Sequence, residues 1–325
     1  MFNALVIREL DGQQQVAVEQ LSDDQLPDGD VTIAVSHSSI NYKDGLAITG
    51  KGKIVRSFPM VPGIDLVGTV LESESPKYQA GDEVVLTGWG VGEGHWGGLA
   101  QKARLKSDWL VPLPTGLSAE QTMIIGTAGL TAMLCVMALE HNGVSKERGE
   151  ILVTGASGGV GSTAIALLAA LGYSVTAVTG REQNSDYLRS IGASNIILRS
   201  ELEDRAKPLD KQRWAGVVDT TGGNILANAI AQTQYGGCVA ACGLAADFKL
   251  PSTVMPFILR NVTLAGVDSV MCPFDKRQQA WQRLEQLLTQ SFYQQASEEI
   301  SLQQVPEWAD KIVAGQVTGR TLVKL

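Results

Sequence analysis

The sequence predicts an α/β protein, in which a doubly wound parallel sheet follows a β-rich, barrel-like N-terminal part. Three observations predict it. The run Ile151–Arg181 reads strand, glycine turn, helix, strand, the opening unit of such a sheet. Further short apolar runs alternate with helical stretches beyond it. Before residue 120, short apolar runs recur between turn signals, a pattern of strands without long helices.

In chain order, the early runs are Ala4–Ile7, Val31–Val35, Gly68–Val70, Glu83–Leu86 and Trp109–Pro112. Asp11-Gly12, Asp28-Gly29 and Ala80-Gly81-Asp82 supply turns between them. Pro112 and Pro114 close this part, and Ser118 is placed to cap a helix. Met123–Leu139 is uncharged but short and broken by Gly126 and Gly129, so it reads as a buried helix rather than a membrane anchor. Ile151–Val153 is a buried strand, Thr163–Leu171 a helix stopped by Gly172, and Tyr173–Val178 a second strand. A helix around Tyr187-Leu188 precedes a third strand at Asn195–Leu198. The fourth, fifth and sixth strands are Gly216–Asp219, Gly237–Gly243 and Val262–Val267. Asp275–Leu288 is an amphipathic helix, and Arg320–Leu325 a strand able to return to the N-terminal part.

Composition sets the class of partner. The 325 residues are 44% hydrophobic and 18% charged, with a net charge of −8, which disfavours nucleic acid or an anionic membrane as the main partner. Cys135, Cys238, Cys242 and Cys272 form no C-x-x-C pair and read as buried free thiols of a reducing compartment. The opening MFNALVIREL mixes charges of both signs, so no secretory signal is expected and the expected location is the cytoplasm.

The stretch Ile151–Gly180 carries no charge, and then Arg181 appears. Gly155, Gly158, Gly159 and Gly161 stand in one tight turn, G-A-S-G-G-V-G, which departs from strict G-x-G-x-x-G spacing. Two bland readings compete: a glycine-rich turn of any buried strand and helix, and a membrane span. The glycines and β-branched second half oppose the span, and the complete βαβ context favours a nucleotide. Ser157, Gly158, Gly159 and Val160 are then expected over the pyrophosphate. At the tip of the second strand, Thr179-Gly180-Arg181 replaces the acidic residue of NAD sites, so Arg181 is expected to hold a 2′-phosphate and NADPH to be the cofactor. Glu182 complicates this, since it could point inward instead. Arg199 follows the third strand and is expected beside Arg181, with Leu244 and Ser269, after the fifth and sixth, near the nicotinamide.

Several longer runs carry a resemblance. They are Asn41-Tyr42-Lys43-Asp44, Pro62-Gly63-Ile64-Asp65, Gly81-Asp82-Glu83-Val84 and the glycine turn, with LTGWGVGEGHWGGLA from Leu86, CVAACGLA from Cys238 and PFILRNVTLAGVDSVM from Pro256. Over essentially its whole length the chain resembles the medium-chain dehydrogenase/reductase superfamily, in particular its zinc-free quinone-oxidoreductase-like subgroup. The resemblance implies a GroES-like β-barrel catalytic domain over residues 1–122, completed by 293–325, and an NADPH-binding Rossmann domain over 123–292. It implies NADPH-dependent acrylyl-CoA reduction, with Asn261 and Arg320 as further cofactor contacts. Where zinc members carry a cysteine and a histidine ligand, this chain has Asn41 and Ile64, and their lobe of four cysteines is missing, so no metal is expected.

Such a reaction delivers hydride to the β-carbon of an enoyl thioester and needs a donor for the enolate oxygen and an acid for the α-carbon. Tyr42 is the first candidate, with Asn41 and Lys43 as further donors. Alternatively, Asn41 and Tyr42 merely hold a strand end, and Lys43–Asp44 is a surface ion pair. Lys51, Lys53 and Arg56 form a basic loop expected to receive coenzyme A phosphates, unless it is simply solvated. His95 and Trp96, in a glycine-rich loop, are assigned no role. A homodimer through the Val262–Val267 edge is expected. Two other functions stay open: a broad NADPH quinone or enone reductase, and a non-catalytic NADPH-binding regulator.

Overall fold

A computed structural model describes residues 1–325. The chain begins with strands β1 (Phe2–Leu10), β2 (Gln13–Leu21) and β3 (Val31–Ile40), then helix α1 (Tyr42–Thr49). Strands β4 (Asp65–Ser73), β5 (Glu83–Thr87), β6 (Lys102–Leu105) and β7 (Val111–Pro112) follow, and α2 (Ala119–His141) ends the β-rich part. Next come β8 (Glu150–Val153), α3 (Gly159–Ala170), β9 (Val175–Thr179), α4 (Ser185–Ser190) and β10 (Asn195–Leu198). After them run β11 (Trp214–Asp219), α5 (Gly223–Gln232), β12 (Thr233–Ala241), α6 (Met255–Arg260) and β13 (Thr263–Gly266). The chain closes with α7 (Phe274–Leu287), α8 (Gln290–Ala296), β14 (Ser297–Ser301), α9 (Val305–Val313) and β15 (Arg320–Lys324).

Two compact units result. The first comprises Met1–Thr127, Val270–Gln278 and Ala296–Leu325; the second comprises Ala128–Ser269 and Gln279–Gln295.

In the first unit, β1 and β2 form an antiparallel hairpin, and a sheet runs in the order β14-β15-β3-β4-β5-β7, with β6 also on β3. The C-terminal strand does return: β15 pairs antiparallel with β3, placing Leu322 opposite Ser39. Leu5, Ile7, Ile40, Met60, Leu99, Val305 and Val323 pack into one core of this unit, and burial of such side chains is the main stabilising term. Apolar alternation did not mark β2, β6 or β14, which are short or carry polar faces.

In the second unit, all six strands are parallel in the order β10-β9-β8-β11-β12-β13. This is the doubly wound order, with its crevice beyond the carboxyl ends of β8 and β11. β13 lies at the sheet edge. Helix α3 starts at Gly159, earlier than the sequence suggests, with Gly158 as its N-cap.

Helix α2 is long and apolar enough to cross a membrane, but 83% of its most apolar window is buried inside the protein. Ser118 caps it as expected: its Oγ accepts from Gln121 N at 3.1 Å. Gly126 interrupts it with φ 49° and ψ −159°.

Candidate active site

The second unit presents a turn built for close approach. Gly155 has φ +56°, and a Cβ there would collide with Thr220 Oγ1; a Cβ on Gly161 would collide with the Gly155 carbonyl. Only glycine satisfies both positions. Helix α3 then begins with Gly158 at its N-cap, so Ser157, Gly158, Gly159 and Val160 surround a helix N-terminus, where free N–H groups attract an anion.

Beneath the turn sits a carboxylate that sequence reasoning missed. Asp219, at the end of β11, accepts from Thr154 Oγ1 at 2.7 Å, Thr221 Oγ1 at 2.9 Å and Gly222 N at 2.8 Å. Burial pushes its carboxyl up from the ordinary aspartate range, and these donors oppose that shift. Thr220 Oγ1 donates to Thr154 O at 3.0 Å, so the ends of β8 and β11 are locked together. An acidic residue closing a strand and followed by two threonines was the available signal.

At the tip of β9, Thr179 is buried and its Oγ1 accepts from Arg181 N at 3.1 Å. The Arg181 guanidinium reaches back to the glycine turn, donating to Ser157 Oγ at 3.4 Å. With its amide oriented to suit its neighbours, Asn184 accepts from Arg181 Nε at 3.2 Å and from Ser157 Oγ at 3.1 Å. Partial burial holds the Arg181 pKa below its ordinary value. Arg199 flanks Gly180, where a Cβ would lie 3.0 Å from its guanidinium carbon. The Arg199 guanidinium thus borders Gly180 while its Nε pairs with Glu203 at 2.7 Å, and the Arg181 guanidinium lies at the glycine turn; two guanidinium groups near one strand tip suit a phosphate monoester. Glu182 is exposed and forms no salt bridge, so it does not compete for this place. Leu244 is exposed after β12. Ser269 Oγ accepts from Thr131 Oγ1 at 2.7 Å.

Asn261 is different. It ends α6 in the left-handed conformation, φ 50°, and precedes β13. It therefore stands at the amino-terminal edge of the parallel sheet, whereas nucleotides bind beyond the carboxyl ends. In this structure it is the C-cap of α6.

In the first unit the expected active-site loop is a helix. Asn41 is the N-cap of α1, and Asp44 Oδ2 accepts from Asn41 N at 2.8 Å. Gly50 ends the helix with φ 67°. The Asn41–Asp44 spacing and the glycine beyond were a readable capping signal. Tyr42 occupies the first turn and is 38% exposed.

Under this helix lies a buried polar network. Asp65 Oδ2 accepts from Ser39 Oγ at 2.7 Å and from Asn41 Nδ2 at 2.8 Å, while Oδ1 accepts from Thr127 Oγ1 at 2.6 Å. Arg320 Nε donates to Ile124 O at 2.8 Å, Nη1 to Asn41 Oδ1 at 3.0 Å and Nη2 to Ser39 Oγ at 2.8 Å. A Cβ on Gly126 would stand 2.5 Å from Asp65 Oδ2 and 2.6 Å from Arg320 Nη2, so the break in α2 makes room for the pair. Burial lowers the Arg320 pKa, opposed by Asp65 and Asp44. Asp44 is pushed up to about 6, first by burial and then by Asp65, against the donors at Asn41 and Ile64 N.

This network bears on three expectations. The Asn41 amide is engaged at both ends, by Asp65 and by Arg320. The Arg320 guanidinium is buried among partners of the first unit, Asn41, Ser39 and Ile124 O. Lys43 and Asp44 are no surface pair: Asp44 is buried, and Lys43 pairs with Glu93, which also meets Arg56 at 3.6 Å. The basic loop divides as well. Lys51 Nζ lies 3.2 Å from Asp310, Lys53 is exposed, and only Arg56 reaches Glu93.

At the positions expected of zinc ligands, Asn41 offers an engaged amide and Ile64 a buried alkyl chain, so neither supplies a thiolate or imidazole. Elsewhere in the first unit, His37, Glu120 and Glu299 bring ligand atoms within 4.8 Å of one another, an arrangement common among exposed acids that carries no metal assignment.

A glycine turn at a helix N-terminus on a doubly wound sheet, in a chain that also carries a barrel-type unit, defines an oxidoreductase-type fold. Residues 27–115 match the alcohol dehydrogenase GroES-like domain, and residues 159–290 match the zinc-binding dehydrogenase family. The chain belongs to the medium-chain dehydrogenase/reductase superfamily. Within it, the chain is 62% identical to the probable acrylyl-CoA reductase AcuI of Escherichia coli K12, over 99% of both chains. It is 52% identical to acrylyl-CoA reductase AcuI of Ruegeria pomeroyi, again over 99% of both. The crystal structure of Escherichia coli K-12 YhdH with bound NADPH is similar at a TM-score of 0.97, with 62% identity and 99% of each chain covered.

Proposed function

We propose that this chain reduces the activated C=C bond of acrylyl-CoA to propionyl-CoA with NADPH and without a metal. The whole-length identity to two proteins named acrylyl-CoA reductase carries the reading, and the paired Arg181 and Arg199 beside Gly180 support the phosphorylated cofactor. Bound NADPH supplies the hydride for the β-carbon. In the second unit, residues 157–160 hold the pyrophosphate, Thr179, Gly180, Arg181 and Arg199 the 2′-phosphate, and Leu244 and Ser269 the nicotinamide end. The NADPH-binding domain expected over 123–292 then corresponds to the second unit, and the catalytic one expected over 1–122 with 293–325 to the first, which also takes residues 123–127 and Val270–Gln278 and leaves 293–295 to the second.

Tyr42 gives its phenolic proton to the α-carbon as the enolate collapses. Asn41 and Arg320, bonded to each other and both meeting Asp65, fix the helix turn that carries it. The thioester oxygen takes the developing charge, so the step asks for a hydrogen-bond donor and not a Lewis acid. Of the loop of Lys51, Lys53 and Arg56, Arg56 faces a cleft of the first unit and attracts the coenzyme A phosphates, with Lys53 exposed and Lys51 paired with Asp310. The edge strand β13, with Ile258 and Leu259 exposed on the preceding helix, suits a homodimer. Free thiols, three buried and Cys242 partly exposed, suit the cytoplasm.

A substrate panel tests the reading: NADPH oxidation with acrylyl-CoA, crotonyl-CoA and a quinone. Acrylyl-CoA should be reduced best. Ready turnover of the quinone with none of acrylyl-CoA would overturn the assignment in favour of a broad reductase. Tyr42→Phe should lower kcat by about 10²-fold or more, as for loss of a general acid, with a smaller change in KM.

A further inference from the structure

The first unit contains a cleft of about 460 Å³ bordered by Arg56, Trp89, His95, Lys106 and Trp109. We propose that it is the subsite for the adenosine 3′-phosphate 5′-diphosphate end of the coenzyme A thioester; this rests on the thioester reading above.

Charge comes first. On a protein of net charge −8, the cleft gathers Arg56 and Lys106 against the single carboxylate of Asp28. Lys106 forms no salt bridge, and Arg56 is 74% exposed beyond its contact with Glu93. His95 lines the same cleft and is held in place there: its Nδ1 lies 3.0 Å from Trp96 O and its Nε2 3.0 Å from Asp28 O. Local positive potential of this kind draws a polyanion to an otherwise acidic molecule.

The aromatic walls supply the second half of the recognition. Trp109 is braced by His95, edge-on at 5.1 Å and 90°, and by Lys106 Nζ, 5.3 Å from its ring centroid. An indole held this way is a platform for a purine, with cations in reach of its phosphates. Trp89 is held at φ 58°, a left-handed conformation unusual for a bulky residue, with the Arg277 guanidinium 4.9 Å from its ring centroid. Its buried Nε1 has no acceptor within the protein. A strained aromatic residue with an unsatisfied donor is costly, and such cost concentrates at ligand sites.

Position joins the cleft to the reaction. Glu93, itself buried, binds Lys43 beside Tyr42 and also Arg56 at the cleft. The Tyr42 helix and the cleft are therefore tied within one unit. A ligand that is reactive at one end and an anionic purine nucleotide at the other matches that layout.

The test separates the two ends of the substrate. Wild type, Lys106→Glu and Lys106→Ala/Trp109→Ala are assayed with acrylyl-CoA and with S-acrylyl-N-acetylcysteamine, which lacks the nucleotide. The variants should raise KM for acrylyl-CoA at least tenfold, keep kcat within twofold, and leave KM for the short thioester unchanged. Lys106→Glu is a surface change and keeps the test valid if loss of Trp109 weakens folding. Equal KM for acrylyl-CoA in wild type and both variants overturns the subsite. Binding of adenosine 3′,5′-bisphosphate, measured calorimetrically with NADP⁺ saturating, needs no turnover. Wild-type binding that Lys106→Glu abolishes supports the cleft even where neither thioester is reduced, which defeats only the reading of the reaction. Absence of wild-type binding overturns the cleft even where acrylyl-CoA is a substrate.

Discussion

The nucleotide turn and the Tyr42 helix each rest on a buried aspartate, but they are held in opposite ways. Asp219 serves strand ends that are neighbours in one sheet, and its donors are threonines and a backbone N–H close to it in sequence or on the adjacent strand. Asp65 serves a helix in the barrel-type unit, and its partners come from Ser39, Asn41, Thr127 and the C-terminal Arg320. The first arrangement is assembled locally, and glycines make the space. The second exists only once the chain's two ends have paired as β3 and β15. The glycine turn is therefore held by short-range partners, whereas the Tyr42 helix is held by a charge remote in sequence.

Removing that charge is the largest expected effect. Arg320→Met leaves Asp65 and the Asn41 and Ile124 oxygens without their buried cation, and should cost about 3–5 kcal/mol in urea unfolding. A loss below about 1 kcal/mol would show that the barrel-type unit does not need its long-range pair.

Asp44 sharpens the same contrast through pH. In the native protein it holds its proton up to about 6, above the ordinary value of 3.8. Between those values the native state carries the extra proton, so stability should fall as pH rises from about 4 to about 6 and level off above. The shift corresponds to about 3 kcal/mol, since each pKa unit is worth about 1.4 kcal/mol. Urea unfolding across that range should show the slope, and Asp44→Asn should remove it. A variant with the wild-type slope would locate the proton elsewhere.

The second unit should respond in binding rather than in stability. Arg181→Ala should weaken NADPH by about 2 kcal/mol, a charged hydrogen-bonded contact, and leave NADH nearly unchanged. Its unfolding free energy should stay within about 0.5 kcal/mol of wild type. Equal affinity of the wild type for both cofactors would break the assignment of Arg181 and Arg199.

The reading of the sequence followed the same divide. The glycine turn, its six strands and Arg181 were legible because a βαβ unit is short-range: one stretch from Ile151 to Arg181 carries the strand, the cradle and the charge. The return of the last strand was legible from its apolar alternation. Helix α1 was missed although Asn41, Asp44 and Gly50 announced it, because an eight-residue helix offers little periodicity. The place of Asn261 in the sheet was not legible for a plainer reason. Sequence adjacency to a strand does not tell which end of the sheet a residue occupies.

By itself, then, the sequence determined the alternation of elements, the phosphate turn and the absence of soft ligands at Asn41 and Ile64, all of which depend on residue type and local order. Only the tertiary structure decided that Asn41 and Arg320 are bonded to each other and both meet Asp65, that Lys43 and Arg56 share Glu93, and that Arg56 parts company with Lys51. Those pairings join residues far apart in the chain. Buried polar groups take whichever partners the packed strands bring within hydrogen-bond distance, and no local pattern encodes that choice.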